Sequence, residues 1–151
     1  MSKIIKANIK HLDEVARLFN LYRIFYEQPD DLERAHQFIK GRMEMKESII
    51  FVSDNADGTL SGFVQLYPSF CSVSGIPILI LYDLYVDKDQ RGLSIGRSLM
   101  NQAKIFARDN GYKRLELSTA KENLIGQSLY ESLGYEQDNE FYHYSLEIEG
   151  D

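Results

Sequence analysis

The sequence predicts a mixed α/β domain built on one sheet, and three observations carry that reading. An apolar run from Ile78 to Val86 has the near-continuous hydrophobicity of a central strand covered on both faces. It leads into a glycine-containing turn and then into apolar residues at helical spacing, Ile95, Leu99, Ala103, Phe106 and Ala107. Along the rest of the chain, helical and strand periodicities alternate without an internal repeat, linker or low-complexity tract. At 151 residues the chain is long enough to bury a real core, and one domain spanning residues 1–151 is expected.

The elements follow in order. Lys3 to Ala7 is a short strand. From Ile9 to Tyr26 the positions Leu12, Val15, Ala16, Phe19 and Tyr22 recur at helical spacing, and Pro29 stops that helix. Asp30 and Glu33 have capping-box spacing, so a second helix is expected to start near Asp31, with Leu32, Ala35, Phe38, Ile39 and Met43 on one side. Ile49 to Ser53 and Leu60 to Tyr67 read as a hairpin around Asp54–Gly58. Pro68 to Pro77 reads as a loop containing Phe70, followed by the Ile78–Val86 strand and a helix from about Ile95 to Asn110 that Gly111 caps. Arg114 to Thr119 alternates as a strand, Asn123 caps a helix from Leu124 to Leu133 that Gly134 ends, and Phe141 to Ile148 is a last strand. The expected order is β-α-α-β-β-β-α-β-α-β.

Composition narrows the class. A hydrophobic content of 44% with 26% charged residues is that of an ordinary soluble globular domain. No apolar run approaches the ~20 residues of a membrane helix, and Met1-Ser2-Lys3-Ile4 lacks the apolar core of a signal peptide. With Cys71 as the single cysteine, a cytoplasmic protein with an incidental thiol is expected. The net charge of −6 argues against a nucleic-acid partner. Its distribution is uneven: residues 87–114 hold seven Lys/Arg and three Asp, a net +4, which leaves −10 on the remainder. A basic segment on an acidic body suits an anionic cofactor at one end and a cationic molecule elsewhere; Lys104, Arg108 and Lys113 also read as ordinary solvating charges. His11, His36 and His143 have no metal-ligand spacing, and neither GxxxxGK[ST] nor GxGxxG is present, so no metal centre, P-loop or Rossmann nucleotide site is expected.

The chemistry concentrates in Gln90-Arg91-Gly92-Leu93-Ser94-Ile95-Gly96-Arg97. A helix start leaves backbone N–H groups without partners and carries the positive end of the macrodipole. A strand, a glycine turn and a helix N-terminus together make a place for a phosphate, to which Arg91 and Arg97 add full charges.

These residues, with a second block, resemble a known family. Arg91-Gly92-Leu93-Ser94-Ile95-Gly96 after a strand, followed in order by Asn123 and Leu129-Tyr130-Glu131-Ser132-Leu133-Gly134-Tyr135, resembles the GNAT family of acyl-CoA-dependent N-acetyltransferases. The first block is similar to the family's Arg/Gln-x-x-Gly-x-Gly/Ala turn and the second to its Asn…Leu-Tyr-x-x-x-Gly-Phe/Tyr block. The element order extends the resemblance over nearly the whole chain. One position departs: Ser94 stands where the family usually has glycine, which costs ~1 kcal/mol if φ > 0 is required there and nothing if only the N–H is used.

The resemblance implies direct acetyl transfer from acetyl-CoA to an amine. Arg91, Gly92, Leu93, Ser94, Ile95, Gly96 and Arg97 would hold the pyrophosphate. The edge of Leu84-Tyr85-Val86 would pair with the pantetheine arm, the strand carrying Ser118 would diverge to admit it, and Asn123 would bond it from the other side. A backbone N–H near Leu84 to Val86 would meet the developing oxyanion. Tyr130 is implied as a general acid in contact with the cofactor; the plainer alternative is a core tyrosine packing its short helix. Asp83, a carboxylate in an apolar run, is either a catalytic and acceptor-binding residue or a buried structural acceptor. With Tyr26, Tyr67, Phe70 and Tyr142 it would line an aromatic acceptor pocket suited to a cation, against the plainer reading of ordinary packing. The expected acceptor is a small, cationic amine. Acetylation of a protein or peptide amine, a non-catalytic coenzyme A sensor and a binding module for an ordinary nucleotide stand as alternatives. Homodimerisation through the late strands is compatible with the resemblance; a nucleic-acid or membrane partner is not expected.

Overall fold

The computed structural model describes residues 2–92 and 94–150. Their contacts divide into two compact units, residues 1–118 and 119–151.

The first unit is a five-stranded sheet in the order β1-β2-β3-β4-β5 with three helices. Its strands are β1 (Lys3–Lys6), β2 (Ile49–Asp54), β3 (Leu60–Cys71), β4 (Ile76–Val86) and β5 (Arg114–Glu116). The first four pair antiparallel and β5 runs parallel to β4. Helices α1 (Leu12–Phe25, entered through a 3-10 turn at Ile9–His11) and α2 (Leu32–Glu44) follow β1, and α3 (Ile95–Asp109) connects β4 to β5.

Strand alternation sorts the helices to opposite faces. Ile50 and Val52 of β2 join Val15, Leu18, Ala35 and Ile39 of α1 and α2 in one core cluster. Phe51, between them, turns the other way and meets Phe106 of α3 edge-on at 5.6 Å. Ile95, Leu99, Met100, Ala103 and Ala107 form the buried stripe of α3. Gly62 of β3 lies under this helix. A Cβ there would sit 3.0 Å from the Tyr85 carbonyl oxygen, 3.3 Å from Leu99 Cδ1 and 3.4 Å from Ile95 Cγ2, so the absence of a side chain lets the first turns of α3 rest on the sheet.

The exit of β4 is fixed by a charged knot. Arg17 donates to both Glu14 oxygens at 2.7 and 3.1 Å, to Asp87 Oδ2 at 3.0 Å and to the Leu60 carbonyl at 3.1 Å. Asp87 N donates to Ser61 O at 2.7 Å, tying the residue after β4 to β3.

Several local expectations change. Helix α2 is capped by Asp31, whose side chain accepts from Arg34 N, and Asp30 instead accepts from Asn20 Nδ2 at 2.8 Å; the capping box expected of Asp30 and Glu33 is not formed. The expected loop from Pro68 to Pro77 is the end of a long hairpin: β3 and β4 stay paired to Cys71↔Ile76. Pro68 lies beyond Leu66, the last β3 residue paired with β2, where β3 has become an edge strand and a proline removes no ladder bond on that side. Strand β5 ends at Glu116 rather than Thr119.

The second unit contains α4 (Leu124–Ser132), capped by Asn123, whose Oδ1 accepts from Gly126 N at 3.1 Å. Gly134 follows it with φ +93°. The expected last strand, Phe141–Ile148, is not formed. Its alternation is strand-like, but a strand exists only through ladder bonds, and here Tyr142, Tyr144, Leu146 and Ile148 are all exposed, with no pairing strand among the described residues.

Candidate active site

The site is built on β4. Its register with β3 runs Val86↔Gly62, Tyr85↔Phe63, Leu84↔Val64 and Asp83↔Gln65, then skips Tyr82, so that Leu66 faces Leu81. Tyr82 is the extra residue of a β-bulge, which breaks the in–out alternation of the strand at that point. Asp83 keeps the face of Tyr85 and Phe63, the face covered by α1 and α2, as the cross-strand neighbour of Gln65.

Asp83 is 3% exposed and Gln65 is fully buried. Gln65 Nε2 donates to Asp83 Oδ2 at 2.6 Å, and Gln65 Oε1 accepts from Ser48 Oγ at 2.8 Å. The Tyr22 hydroxyl of α1 lies 2.9 Å from the Tyr82 carbonyl and also faces the Asp83 carboxylate, so its one proton serves two acceptors. Burial pushes Asp83 up to about 6, opposed by hydrogen bonds from the Gln65 amide and the Tyr22 hydroxyl, neither of which carries a positive charge. Burial, and after it the Asp83 carboxylate, also pushes the Tyr22 and Tyr67 hydroxyls well above the ordinary phenol value. A carboxyl poised near neutrality beside a bulge is suited to taking up a proton.

Two aromatic pairs lie in this part of the fold. Tyr67 and Tyr82 meet edge-on at 5.8 Å, and Tyr22 and Tyr26 at 5.1 Å. Of the residues expected to line an acceptor pocket, Tyr26, Tyr67 and Asp83 are drawn into this part of the sheet and α1. Phe70 sits near the hairpin tip, opposite Pro77 and 77% exposed, away from Asp83 in register. Tyr142 belongs to the second unit and is 91% exposed.

The other edge of β4 is open where it matters. Strand β5 pairs only with Ile78, Leu79 and Ile80, so in the described pairings no second strand lies along Leu84, Tyr85 and Val86 on the side away from β3, although the Val86 carbonyl accepts from Arg91. At the carboxyl end of this strand the chain turns into α3. Gly92 has φ +83° and Ser94, the N-cap, has φ +64° and ψ 18°, in the left-handed region. Both Ser98 N and Ser98 Oγ donate to the Ser94 carbonyl at 3.0 Å. By helix geometry the N–H groups of Ile95 and Gly96 have no intrahelical acceptor, and the first turn of α3 carries no acidic residue. Arg91 folds back, donating to the Val86 carbonyl at 3.0 Å with its guanidinium 5.2 Å from the Tyr85 ring centre; Arg97 is exposed on the first turn. Leu93 lies outside the described residues.

The left-handed conformation of Ser94 settles the question raised by its departure from glycine: the position does require φ > 0. Ser94→Val, β-branched, should lower Tm by about 4 °C or more, whereas Ser94→Gly should leave Tm within about 3 °C, as differential scanning fluorimetry would read.

The strand edge and the acid-free helix N-terminus stand where the resemblance of the two sequence blocks led them to be expected, and the family model described as Acetyltransferase (GNAT) family matches residues 12–135. The chain belongs to the GNAT family of acetyltransferases. Among GNAT relatives, the uncharacterized N-acetyltransferase YhfO of Bacillus subtilis (strain 168) is 46% identical over 134 residues, 89% of each chain. A crystal structure of a probable acetyltransferase is similar with a TM-score of 0.89 at 37% identity, covering 99% of each chain. The aminoglycoside N-acetyltransferase AAC(6')-Iy, solved in complex with CoA, shares the fold with a TM-score of 0.79 at 18% identity, over 98% of this chain and 96% of its own. The protein is therefore an N-acetyltransferase, and the mixed α/β GNAT architecture expected from the two sequence blocks is the one observed.

In the second unit, Tyr130 is half-buried with its ring 6.2 Å from that of Tyr135, whose hydroxyl is pushed up to about 12 by burial and by Tyr130. Asn123 Nδ2 donates to Thr119 Oγ1 at 3.0 Å, so both ends of its amide are engaged in capping. Three features of the site were missed in the sequence: Gln65, the bulge at Tyr82 and Gly62. A glycine inside the strand Leu60–Tyr67 was the one available signal, since it marks close backbone approach.

Proposed function

We propose that this GNAT enzyme transfers an acetyl group from acetyl-CoA directly to the primary amine of a small acceptor, with a preference for cationic amines. The observation that carries the reading is β4: one strand presents a buried acid beside a bulge, an edge from Leu84 to Val86 with no second strand paired to it, and a helix start suited to an anion at its end.

In this reading Ile95 and Gly96, with Arg91, Leu93, Ser94, Arg97 and Gly92, hold the pyrophosphate through backbone N–H groups and positive charge. The edge of Leu84, Tyr85 and Val86 accepts and donates hydrogen bonds to the amide-bearing arm as an added strand would. When bound, acetyl-CoA supplies the activated carbonyl; its use by acetyltransferases of this fold and the CoA complex of AAC(6')-Iy support it as the cosubstrate here. A backbone N–H on this stretch of β4 steadies the carbonyl oxygen as it gains charge. Asp83 receives the proton that an ammonium must lose before its nitrogen can attack, and the rings of Tyr26 and Tyr67 give the cation a π-rich wall. Asn123 is proposed on the cofactor arm, and Tyr130 as the donor of a proton to the departing sulfur. On that assignment Tyr130→Phe lowers kcat by about tenfold or more while calorimetry finds the Kd for acetyl-CoA unchanged. Phe70 and Tyr142 remain in the acceptor proposal only through the resemblance. A cytoplasmic location belongs to the same reading, which the lone thiol of Cys71 suits.

The test is thiol release from acetyl-CoA against alkylamines, arylalkylamines, polyamines, aminoglycosides and peptide amines. Turnover of a small cationic amine that Asp83→Asn abolishes supports the proposal. Turnover of peptides alone would move the acceptor to a protein, and tight binding of acetyl-CoA with no acceptor turned over would favour a sensor.

A further inference from the structure

The geometry points to Gln65 as a positioning residue for the reaction: its amide, locked by Ser48, fixes the plane of the Asp83 carboxylate and so the direction in which Oδ1 meets the acceptor's ammonium. The inference rests on the reading of Asp83 as proton acceptor.

Gln65 lies directly across from Asp83 at the last regular register position before the bulge, so the strand pairing itself sets the two side chains on one face. Its amide is polarised in one sense. Oε1 accepts from Ser48, which can turn its hydroxyl toward it, and this leaves Nε2 facing Asp83 Oδ2 at 2.6 Å, the arrangement an ionised carboxylate requires. Tyr22 also faces the carboxylate, but its hydroxyl has one proton and lies 2.9 Å from the Tyr82 carbonyl as well, so that proton serves two acceptors. Gln65 Nε2 is the donor whose orientation is held by a partner of its own.

The pair is a poor device for stability alone. Two apolar side chains at these buried cross-strand positions would bury as much surface without desolvating an amide and a carboxyl. What the polar pair adds is an acid held in one orientation by a group that is itself held. The other titratable groups that interact with the carboxylate are Tyr22 of α1 and Tyr67 of β3; Tyr82 of β4 acts on both of these tyrosines, Tyr26 on Tyr22, and Arg42 of α2 and Glu47 on Tyr67. Since Gln65 favours the ionised form of Asp83, its loss moves the acid upward.

The experiment compares wild type, Gln65→Met, Ser48→Ala, Asp83→Asn and the double variant Gln65→Met/Asp83→Asn. It uses acetyl-CoA and the amine that wild type turns over fastest in the panel above, together with carboxyl carbon NMR titration of Asp83. Gln65→Met is expected to lower kcat/KM by about tenfold and to raise both the acidic limb of its pH profile and the Asp83 titration by about one pH unit, with KM for acetyl-CoA unchanged. Ser48→Ala should shift both in the same direction by less. In the Asp83→Asn background, Gln65→Met should have no further effect. A wild-type profile and titration in Gln65→Met, or an equal loss with and without Asp83, would overturn the positioning role while leaving Asp83 in place. Wild-type kcat/KM in Asp83→Asn would instead overturn the reading of Asp83 on which it depends. If Gln65→Met loses its near-UV circular dichroism, the Ser48→Ala titration decides, and an unmoved Asp83 there refutes the proposal.

Discussion

Asp83→Asn is expected to make the protein more stable above pH 6 and nearly inactive. The Asp83 carboxyl has a reference value of 3.8 and is pushed up to about 6 by burial, so the folded protein holds this proton more tightly than the unfolded chain does. The contribution favours folding fully below about pH 4 and is lost as pH rises through 6, because the folded state must then carry a buried charge. Over that window the loss amounts to something on the order of 3 kcal/mol. Asparagine keeps the acceptor for Gln65 Nε2 and never ionises, so urea denaturation should find the variant and wild type alike near pH 4 and the variant more stable near pH 7.5. Acetyl transfer should fall by about 10²-fold or more, and the acidic limb near pH 6 should disappear from the pH profile of what remains. Equal stability of the two proteins at both pH values would mean that Asp83 is solvated; unchanged turnover would mean that the proton leaves by another route.

Gly62→Val is expected to damage cofactor binding from beneath α3. The missing Cβ already lies 3.0 Å from a backbone carbonyl, which a rotamer change cannot move, and within 3.4 Å of both Ile95 and Leu99. Valine adds two further methyl groups where α3 rests on β3. Overpacking of this kind costs about 1–3 kcal/mol, which for a chain of this size lowers Tm by roughly 3–10 °C. The relief available is for α3 to lift at its N-terminal turns, which carry the N–H groups of Ile95 and Gly96. The affinity for acetyl-CoA should therefore fall together with Tm, while a cavity variant at the other end of the helix, Ala107→Gly, should lower Tm and spare affinity. Loss of Tm in Gly62→Val without loss of affinity would show that the helix start does not hold the cofactor.

What was legible in the sequence is what local chemistry encodes. The apolar run of β4, the Arg91–Gly96 turn and the stripe of α3 are contiguous signals, and each forms where the residues say. Asp83 stood out because a carboxylate in an apolar strand needs a reason. Its partner did not, because Gln65 and Asp83 become neighbours only through a register that is interrupted at Tyr82, and a bulge leaves no mark in composition. The hairpin tip was misread for the opposite reason: Pro68, Gly75 and Pro77 are strong turn signals, yet an edge strand accommodates proline. Phe141–Ile148 shows the limit of periodicity. Its alternation makes a strand available, and only a partner makes it one.

The most direct test of the account is calorimetric titration of the protein with acetyl-CoA, with ATP and free CoA as controls. Micromolar binding of acetyl-CoA and CoA that ATP does not share is expected, since a strand edge for the arm is joined to a helix start for the pyrophosphate. Equal affinity for ATP would reduce the site to a phosphate cradle, and no binding of acetyl-CoA would contradict the account and remove the basis for every residue role assigned to β4 and α3.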